Sequence, residues 1–275
     1  MTSAADESNP RNPAQINPAQ IKAVCLDIDD TLLDSRSAAR SSLRELLGTD
    51  RAWPVWQRTT DRYYGRFVTG QLTFDDMCVE RTRAFFAAFG ERIDHDEARR
   101  RETRRMAAMQ RAWGLFDDVV DTLDWMRATG LKLAAVTNAP GAYQRKKLAA
   151  VGLADAFDAV VISGEIGIAK PDPRIFHTAC ERLGLQPSEV AHVGDRLSTD
   201  ARGATRAGLR GIWLNRDQIP APRTRDADAS AADSHDADTH DAGEVATIAG
   251  LRELPELLVT EIAAPHLADL VGQAP

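Results

Sequence analysis

The chain has 275 residues, of which 43% are hydrophobic and 27% charged, and its formal net charge is −7. This apolar share is enough for a sizeable core and excludes a chain that is disordered throughout. The length suits one large α/β domain, or one domain with a smaller domain inserted in it. No apolar run approaches the roughly 20 residues that a membrane-spanning helix requires, so we expect no membrane partner.

The amino-terminal residues and the cysteines both favour a cytoplasmic protein. Residues 1–20 contain acids and prolines and no apolar stretch, which argues against a secretory signal and predicts a disordered tail. The three cysteines are an odd number and include no CxxC pair. A reduced compartment, with the thiols packed as small apolar groups, is therefore the better interpretation.

The charges are unevenly distributed along the chain. Residues 221–244 hold seven acids and two arginines, whereas residues 36–113 hold sixteen arginines and eleven acids. The overall acidity gives no case for a nucleic-acid partner, and the cationic segment suggests a small anionic ligand. Ion pairs on solvated helix faces would also explain most of these arginines. The composition of 221–243, mainly Ala, Asp, Ser and Thr, predicts a flexible acidic loop.

The predicted elements fall into two kinds. Residues 21–26 form an apolar run typical of a strand buried on both faces. Residues 36–113 carry apolar residues at helical spacing and predict three or four helices. From residue 114 strand and helix patterns alternate, which predicts a doubly wound parallel sheet with helices on both faces. The later strands are expected at 131–136, 159–162, 190–193, 211–214 and 245–248, and a closing helix from residue 251.

Polar residues follow four of the predicted strands, and the carboxyl ends of parallel strands share one edge of a sheet. These residues are Asp27, Asp29, Asp30 and Thr31; Thr137 and Asn138; Lys170; and Asp195 and Asp200. Carboxylates gathered next to an apolar strand would repel one another and resist desolvation. A divalent cation removes this problem, and a few hard oxygen ligands favour Mg²⁺. No cluster of His or Cys favours zinc.

The order and spacing of these residues resemble the four motifs of the haloacid dehalogenase-like (HAD) superfamily, over roughly residues 21–216 and the closing helix. The segment from Lys170 to Phe176 resembles subfamily I, whose members carry a helical cap directly after the first motif. The resemblance implies an α/β fold with a HAD-like Rossmannoid core over 21–35 and 114–260. A helical-bundle cap domain would be inserted at 36–113.

The second acid of the first motif separates branches of this superfamily. Members that hydrolyse carbon–halogen bonds lack it, and phosphonate-cleaving members have a small residue there. Because this chain has Asp29, it resembles the phosphatases. The resemblance implies Mg²⁺-dependent hydrolysis of a small phosphorylated metabolite, such as a sugar phosphate or a nucleotide, through an aspartyl-phosphate on Asp27. Asp29 would protonate the leaving oxygen and then activate water.

The resemblance also implies a ligand set for the metal and a site for the phosphate. Asp27 and Asp195 would bind Mg²⁺ through their carboxylates, and Asp29 through its backbone carbonyl. The phosphate ligands would be the Thr137 hydroxyl, the Asn138 backbone N–H and the Lys170 ammonium, with Asp200 and Thr31 in supporting positions. Thr31, Asp200 and the Thr137–Asn138 pair could instead only cap turns or helices, and Lys170 could be a surface lysine.

The cap is expected to select the leaving group. Arg58, Arg62 and Arg66 share one helical face, which could contact a second anionic or sugar group of the substrate or could simply be solvated. The aromatic residues beside them, including Tyr63 and Tyr64, suit the core of the cap better than a platform for stacking a base.

Two other functions stay open at the level of the sequence. A phosphomutase would use the same intermediate but needs a cap residue that deprotonates a sugar hydroxyl, and none is obvious. A catalytically silent HAD-fold binding protein usually loses a motif residue, and none is missing here. The sequence is compatible with a monomer or a homodimer.

Overall fold

The computed structural model describes residues 21–220 and 245–258. The predicted tail at 1–20 and the predicted acidic loop at 221–243 lie outside these residues, as do residues 259–260 at the end of the predicted core segment. Among the helices of the described part, none has both the length and the apolar character needed to cross a bilayer.

The sheet is parallel and doubly wound, as predicted. Its strands are β1 (Ala23–Leu26), β2 (Lys132–Thr137), β3 (Ala159–Ile162), β4 (Val190–Gly194), β5 (Arg210–Leu214) and β6 (Ala246–Ile248). Their order across the sheet is β3-β2-β1-β4-β5-β6, and every neighbouring pair is parallel. Strands β2 and β3 extend the sheet on one side of β1, and β4, β5 and β6 extend it on the other. The strand order therefore reverses between β1 and β4.

The apolar run of β1 is explained by burial on both faces. Val24 and Leu26 belong to a core cluster with Met126 on one side of the sheet. Ala23 and Cys25 belong to a second cluster on the other side. Successive side chains of a strand point to opposite faces. When both faces are buried, every position is apolar and the sequence shows no alternation of polar and apolar residues.

Nine α-helices lie between residues 35 and 206. Four follow the first motif: α1 (Ser35–Leu47), α2 (Trp53–Val68), α3 (Phe74–Ala87) and α4 (His95–Arg111). Five lie between or beside the strands: α5 (Val119–Ala128), α6 (Gly141–Ala150), α7 (Ser163–Ile166), α8 (Pro173–Leu183) and α9 (Arg202–Arg206). A 3₁₀ turn at Leu251–Glu253 leads into the predicted closing helix, which the structure describes as far as residue 258.

The helix predicted at 198–207 differs from expectation in its first turn. Residues Leu197–Ala201 form a π-helical turn, and regular helix begins only with α9. The backbone carbonyl of Arg196 accepts from the N–H groups of Asp200 and Ala201, and the Asp200 carboxylate accepts from the Arg196 N–H at 3.0 Å. The wide turn thus directs Asp200 back towards the end of β4.

The first four helices pack on one another, and we call residues 35–111 the helical bundle. Helix α1 packs against α4, and α3 packs against both α2 and α4. Buried Leu43, Trp56, Phe85 and Phe86 form a core cluster inside the helical bundle. The helices occupy the interval for which an inserted helical domain is expected.

A buried ion cluster joins α3 to α4 inside the helical bundle. The Glu102 carboxylate accepts from Arg81 at 2.6 Å, from Arg105 at 2.7 Å and from the Thr82 hydroxyl at 2.8 Å. Both guanidinium groups lie over the ring of Trp56, 4.5 and 4.8 Å from its centroid. Burial raises the pKa of Glu102, but the two arginines outweigh it and lower the pKa to about 2. At least two arginines of this cationic segment are therefore internal rather than on solvated faces.

Candidate active site

Asp27 follows β1 directly and continues its pairing with β4. Its backbone N–H donates to the carbonyl of Val193 at 2.9 Å, and its side chain is buried. Lys170 reaches this carboxylate from the loop after β3, with its Nζ 2.6 Å from Asp27 Oδ1. The same ammonium donates to the carbonyl of Val136 at 2.8 Å and lies 2.7 Å from Asp200 Oδ1. Lys170 is thus a buried cation held between two acids, not a surface lysine.

Three carboxylates form a cluster at this edge. Asp27, Asp195 and Asp200 each place one oxygen within 4.8 Å of the others. Burial raises the pKa of Asp27 to about 7; Lys170 lowers it, and Asp200 raises it further. Burial, together with Asp27 and Asp200, also holds the pKa of Asp195 well above its ordinary value. When ionised, the three carboxylates carry more negative charge than Lys170 neutralises, and their donor chemistry fits a hard divalent cation.

Asp200 is fixed by its surroundings. Burial raises its pKa, but the Lys170 ammonium outweighs burial, and with help from His192 it holds this pKa below the ordinary range. A Cβ on Gly194 would lie 2.4 Å from Asp200 Cγ, so the strand end approaches the carboxylate at a distance that only glycine permits. The alternative that Asp200 caps a helix is not realised, because α9 has Ala201 at its N-cap and no side-chain cap.

The loop after β2 contributes Thr137 and Asn138. Thr137 is buried, and its Oγ1 accepts from Gln144 Nε2 at 3.2 Å. The side-chain amide of Asn138 pairs with the backbone of Lys170, donating to its carbonyl at 2.9 Å and accepting from its N–H at 2.8 Å. Neither residue caps α6, whose N-cap is Pro140. The Asn138 side chain therefore holds the loop that carries Lys170.

Asp29 points to a different set of partners. Its carboxylate, with 36% side-chain exposure, lies 2.5 Å from Lys147 Nζ and accepts from the Ser35 hydroxyl and from Gln144 Nε2, the last at 3.0 Å. Burial raises the pKa of Asp29, but Lys147, Ser35 and Gln144 together lower it below its ordinary value. Thr31, two residues after Asp29 in the chain, is fully buried, and its hydroxyl has no hydrogen-bond partner in the described residues.

Three side chains that contact Asp29 are absent from the residues predicted from the sequence: Ser35, Gln144 and Lys147. A signal was present: Gln144 and Lys147 are three residues apart in the helix that follows Thr137, so they share one face. Both are buried, on a helix of which most other polar side chains are exposed. Two polar side chains on the buried face of a helix that directly follows a motif indicate a contact with the site. The sequence supports this inference only when the buried face of the helix is known.

The helical bundle contacts the sheet edge through Tyr64 of α2. The Tyr64 hydroxyl donates to the backbone carbonyl of Asn138 at 3.0 Å, and the Arg196 guanidinium lies 5.9 Å from its ring centroid. Burial raises the pKa of Tyr64 to about 12. This side chain thus lies at the boundary between the bundle and the sheet edge, not in the core of the bundle as expected.

A row of aromatic rings continues from Tyr64 across that boundary. Neighbouring centroids are 5.4–5.9 Å apart. The rings belong to Tyr64, Phe67, Phe74, Tyr143 and Trp113, in that order. Because Tyr143 lies on α6 and the first three rings lie on α2 and α3, the row connects the helical bundle to the core.

The three arginines proposed for substrate selection are placed elsewhere. Arg58, Arg62 and Arg66 are exposed on α2. The guanidinium groups of Arg62 and Arg66 lie 5.9 and 5.6 Å from the ring centroid of Tyr63. The structure brings Tyr64, rather than these arginines, to the residues after the strands, and their contact with a substrate stays a prediction.

Comparison with known proteins gives related sequences and folds. The chain is 33% identical over 220 residues to the glyceraldehyde 3-phosphate phosphatase of Methanopyrus kandleri. This match covers 76% of this chain and 90% of the phosphatase. It is 31% identical over 226 residues to the phosphoserine phosphatase of Thermus thermophilus, covering 73% and 91% of the two chains. The HAD hydrolase YfnB of Bacillus subtilis, solved bound to magnesium, has the same fold, with a TM-score of 0.70 and 23% identity over 87% of this chain and 99% of that one.

The match to a family agrees with the placement of the motif residues. The family model for haloacid dehalogenase-like hydrolases matches residues 21–208, from just before β1 to just after α9. That interval contains the acids after β1 and β4, Thr137 after β2 and Lys170 after β3. The chain belongs to the haloacid dehalogenase-like hydrolase family.

Proposed function

We propose that this protein is a Mg²⁺-dependent phosphomonoester hydrolase that acts on a small phosphorylated metabolite through an aspartyl-phosphate on Asp27. The observation that carries the proposal is the placement of the buried Asp27 carboxylate, at the end of β1, against the Lys170 ammonium and in one cluster with Asp195 and Asp200. Asp29, two residues later, supplies a second and partly exposed carboxylate. The two similar proteins named as phosphatases support the same reaction class.

Mg²⁺ would be held by the carboxylates of Asp27 and Asp195 and by the backbone carbonyl of Asp29, with Asp200 in support. The residues fit, because three clustered carboxylates offer hard oxygen ligands and carry uncompensated charge. The ion would neutralise this charge and that of the phosphoryl oxygens.

The chain's own residues have distinct roles in the proposed reaction. Asp27 Oδ attacks phosphorus while the bond to the leaving oxygen breaks. Asp29 must first take up a proton from solvent, because its contacts hold its pKa below the ordinary range. It gives that proton to the leaving oxygen, and later takes a proton from the water that attacks the aspartyl-phosphate. Lys170 stays protonated, because Asp200 and Asp27 raise its pKa against the effect of burial, and it balances charge on Asp27. Thr137 and the Asn138 N–H would bind phosphoryl oxygens.

The helical bundle would act as a cap over this edge. Its contact with the core through Tyr64 places an aromatic side chain beside the proposed site. The substrate that we propose is a sugar phosphate or a nucleotide, whose alcohol would lie between the bundle and Asp29 and meet the row of rings.

We also propose a cytoplasmic location, supported by the cysteines. Cys25, Cys78 and Cys180 are all buried and unpaired as thiols. Burial raises the pKa of Cys78 and of Cys180 to about 11. Thiols of this kind are inert packing groups, as expected for a protein kept in a reducing compartment.

The test is a phosphate-release assay with Mg²⁺, using p-nitrophenyl phosphate and a panel of phosphorylated metabolites. Turnover by the wild type should be abolished in Asp27→Asn and retained in Asp155→Asn, which removes an exposed acid away from the cluster. Acid quenching during turnover, followed by peptide mass spectrometry, should find a phosphoryl group on Asp27. With p-nitrophenyl phosphate, whose leaving group needs no proton, Asp29→Asn should increase that phosphorylated fraction, because it slows the attack of water.

Two results would contradict the proposal. Absence of turnover over the whole panel would favour a binding protein with this fold. Activity that requires a bisphosphate activator and returns an isomer of the substrate would instead identify a phosphomutase.

A further inference from the structure

Helix α6 presents two buried polar side chains to the residues that follow β1 and β2. Gln144 and Lys147 are 0% and 2% exposed and lie on one face of the helix. Neither belongs to the four motifs, yet each contacts a residue that does. The neighbouring Leu148 is part of the apolar core, which fixes the rotation of α6 against the sheet.

Together, the contacts restrain both oxygens of the Asp29 carboxylate. Lys147 Nζ lies 2.5 Å from Oδ1, which also accepts from the Ser35 hydroxyl, and Gln144 Nε2 lies 3.0 Å from Oδ2. The carboxylate therefore cannot rotate without breaking a charge-assisted hydrogen bond. A group that transfers protons needs such a fixed orientation towards the reacting oxygen.

Gln144 also contacts Thr137. Its Nε2 donates to Thr137 Oγ1 at 3.2 Å, so this oxygen is used as an acceptor. The hydroxyl proton of Thr137 is then free to be donated to a phosphoryl oxygen. One helix face thus orients both the proposed acid and a proposed phosphate ligand.

The surroundings of Lys147 argue against a role in stability alone. Its ammonium is buried beside the rings of Tyr143 and Trp113, with its Nζ 5.0 and 5.9 Å from their centroids. An ion pair whose ammonium is buried gives little net stability compared with apolar residues of the same size, because that charge must be desolvated. A buried lysine next to the partly exposed Asp29 points to a function of that carboxylate.

We propose that Lys147 is a positioning residue for Asp29 in proton transfer, and that Gln144 positions Thr137. The inference rests on the proposed function. In the first step the bond from phosphorus to the leaving oxygen breaks as Asp27 bonds to phosphorus, and the Asp29 proton moves to the leaving oxygen. The Asp29 carboxylate so formed faces the Lys147 ammonium. It then takes a proton from water, whose oxygen replaces Asp27 on phosphorus.

The test compares two substrates in Lys147→Met. Glycerol phosphate has a poor leaving group that needs a proton, whereas p-nitrophenyl phosphate has a good one that does not. We expect kcat/KM to fall about 100-fold for glycerol phosphate, the scale of general acid catalysis, and less than about threefold for p-nitrophenyl phosphate. With the aryl substrate kcat should still fall, because attack of water on the aspartyl-phosphate also needs Asp29.

The matched control is Lys146→Met. It makes the same substitution on the same helix at an exposed lysine that contacts Gln110, and both substrates should keep their rates. Lys147→Arg should restore part of the glycerol phosphate activity, because it retains the charge. Thermal melting of each variant identifies a loss of folding.

A double variant separates action through Asp29 from direct contact with substrate. If Lys147 acts through Asp29, adding Lys147→Met to Asp29→Asn should cost no further activity. Gln144→Met should lower kcat/KM for both substrates, because Thr137 would bind the phosphoryl group they share. The loss should be larger for glycerol phosphate, because Gln144 also contacts Asp29 Oδ2.

The assignment of Lys147 would be overturned if Lys147→Met lowered kcat/KM equally for both substrates. It would also be overturned if the losses of activity from Lys147→Met and Asp29→Asn were additive in the double variant. Losses restricted to glycerol phosphate in Gln144→Met would overturn that of Gln144. These outcomes all require an active wild type, so they are distinct from a failure of the proposed function, which would show as no turnover by the unmodified protein.

Discussion

The hydroxyl of Tyr64, in the helical bundle, donates a 3.0 Å hydrogen bond to the backbone carbonyl of Asn138, at the end of the central sheet. The two residues are 74 positions apart in the chain. Asn138 in turn pairs through its side chain with the backbone of Lys170. The bundle is therefore hydrogen-bonded to the loop that fixes the cation beside Asp27.

Tyr64→Phe removes this hydrogen bond and keeps the ring. A typical hydrogen bond contributes about 0.5–1.5 kcal/mol, so we expect kcat/KM to fall about 2- to 10-fold as the arrangement with Tyr64 on the Asn138 carbonyl becomes less populated. Steady-state kinetics measure the effect. Tyr63→Phe is the control, since its ring lies under exposed arginines of α2, and equal effects of the two substitutions would contradict the prediction.

Mg²⁺ should stabilise the folded protein as well as activate it. Binding to the folded state alone adds about 2.7 kcal/mol at a concentration 100 times the Kd, which calorimetry detects as a rise in Tm. Asp195→Asn should reduce this rise, while leaving the metal-free protein no less stable because it removes repulsion with Asp27 and Asp200. Asp155→Asn should respond as the wild type does. An unchanged response in Asp195→Asn would remove that residue from the proposed ligands.

Gly194→Ala should disturb the acid cluster. The added Cβ would lie 2.4 Å from Asp200 Cγ, so the carboxylate must move away from Lys170. We expect a loss of about 1–3 kcal/mol in the free energy of unfolding and a clear drop in kcat. Gly65→Ala, in the interior of α2 where a Cβ meets no atom within 4 Å, should instead be stabilising by about 0.5–1 kcal/mol. Retention of full activity by Gly194→Ala would show that Asp200 can move without consequence.

Glu102→Gln should destabilise the helical bundle by about 3–5 kcal/mol, because it leaves Arg81 and Arg105 buried without their anion. The folded-state pKa of Glu102 is lowered from 4.5 to about 2, so its stabilisation is complete above 4.5 and is lost as the pH falls through 2. Urea unfolding measures the free energy of unfolding of the wild type and of the variant. The difference between the two should shrink as the pH falls from 4.5 towards 2. Glu45→Gln, which alters an exposed pair with Arg111, should change stability by less than about 1 kcal/mol; a similar loss there would contradict the prediction.

The strand positions were predictable because each strand has a local signal. The apolar run of β1 reflects burial on both faces, and β3 was placed at the residues it occupies. The turn at Leu197–Ala201 was not predictable, because its geometry depends on Asp200 reaching back to the end of β4. A helical pattern in the sequence does not distinguish a wide first turn from a regular one.

By itself, the sequence determined the alternation of strands and helices and the order of the motif residues. Parallel strands have their carboxyl ends at one edge, so Asp27 and Asp195 had to lie near each other. Only the tertiary structure decided that Lys147 faces Asp29, that Tyr64 faces Asn138 and that the Arg105 guanidinium is internal. Hydrophobic periodicity reports which face of a helix is buried, whereas the polar partner of a buried side chain depends on how distant elements pack.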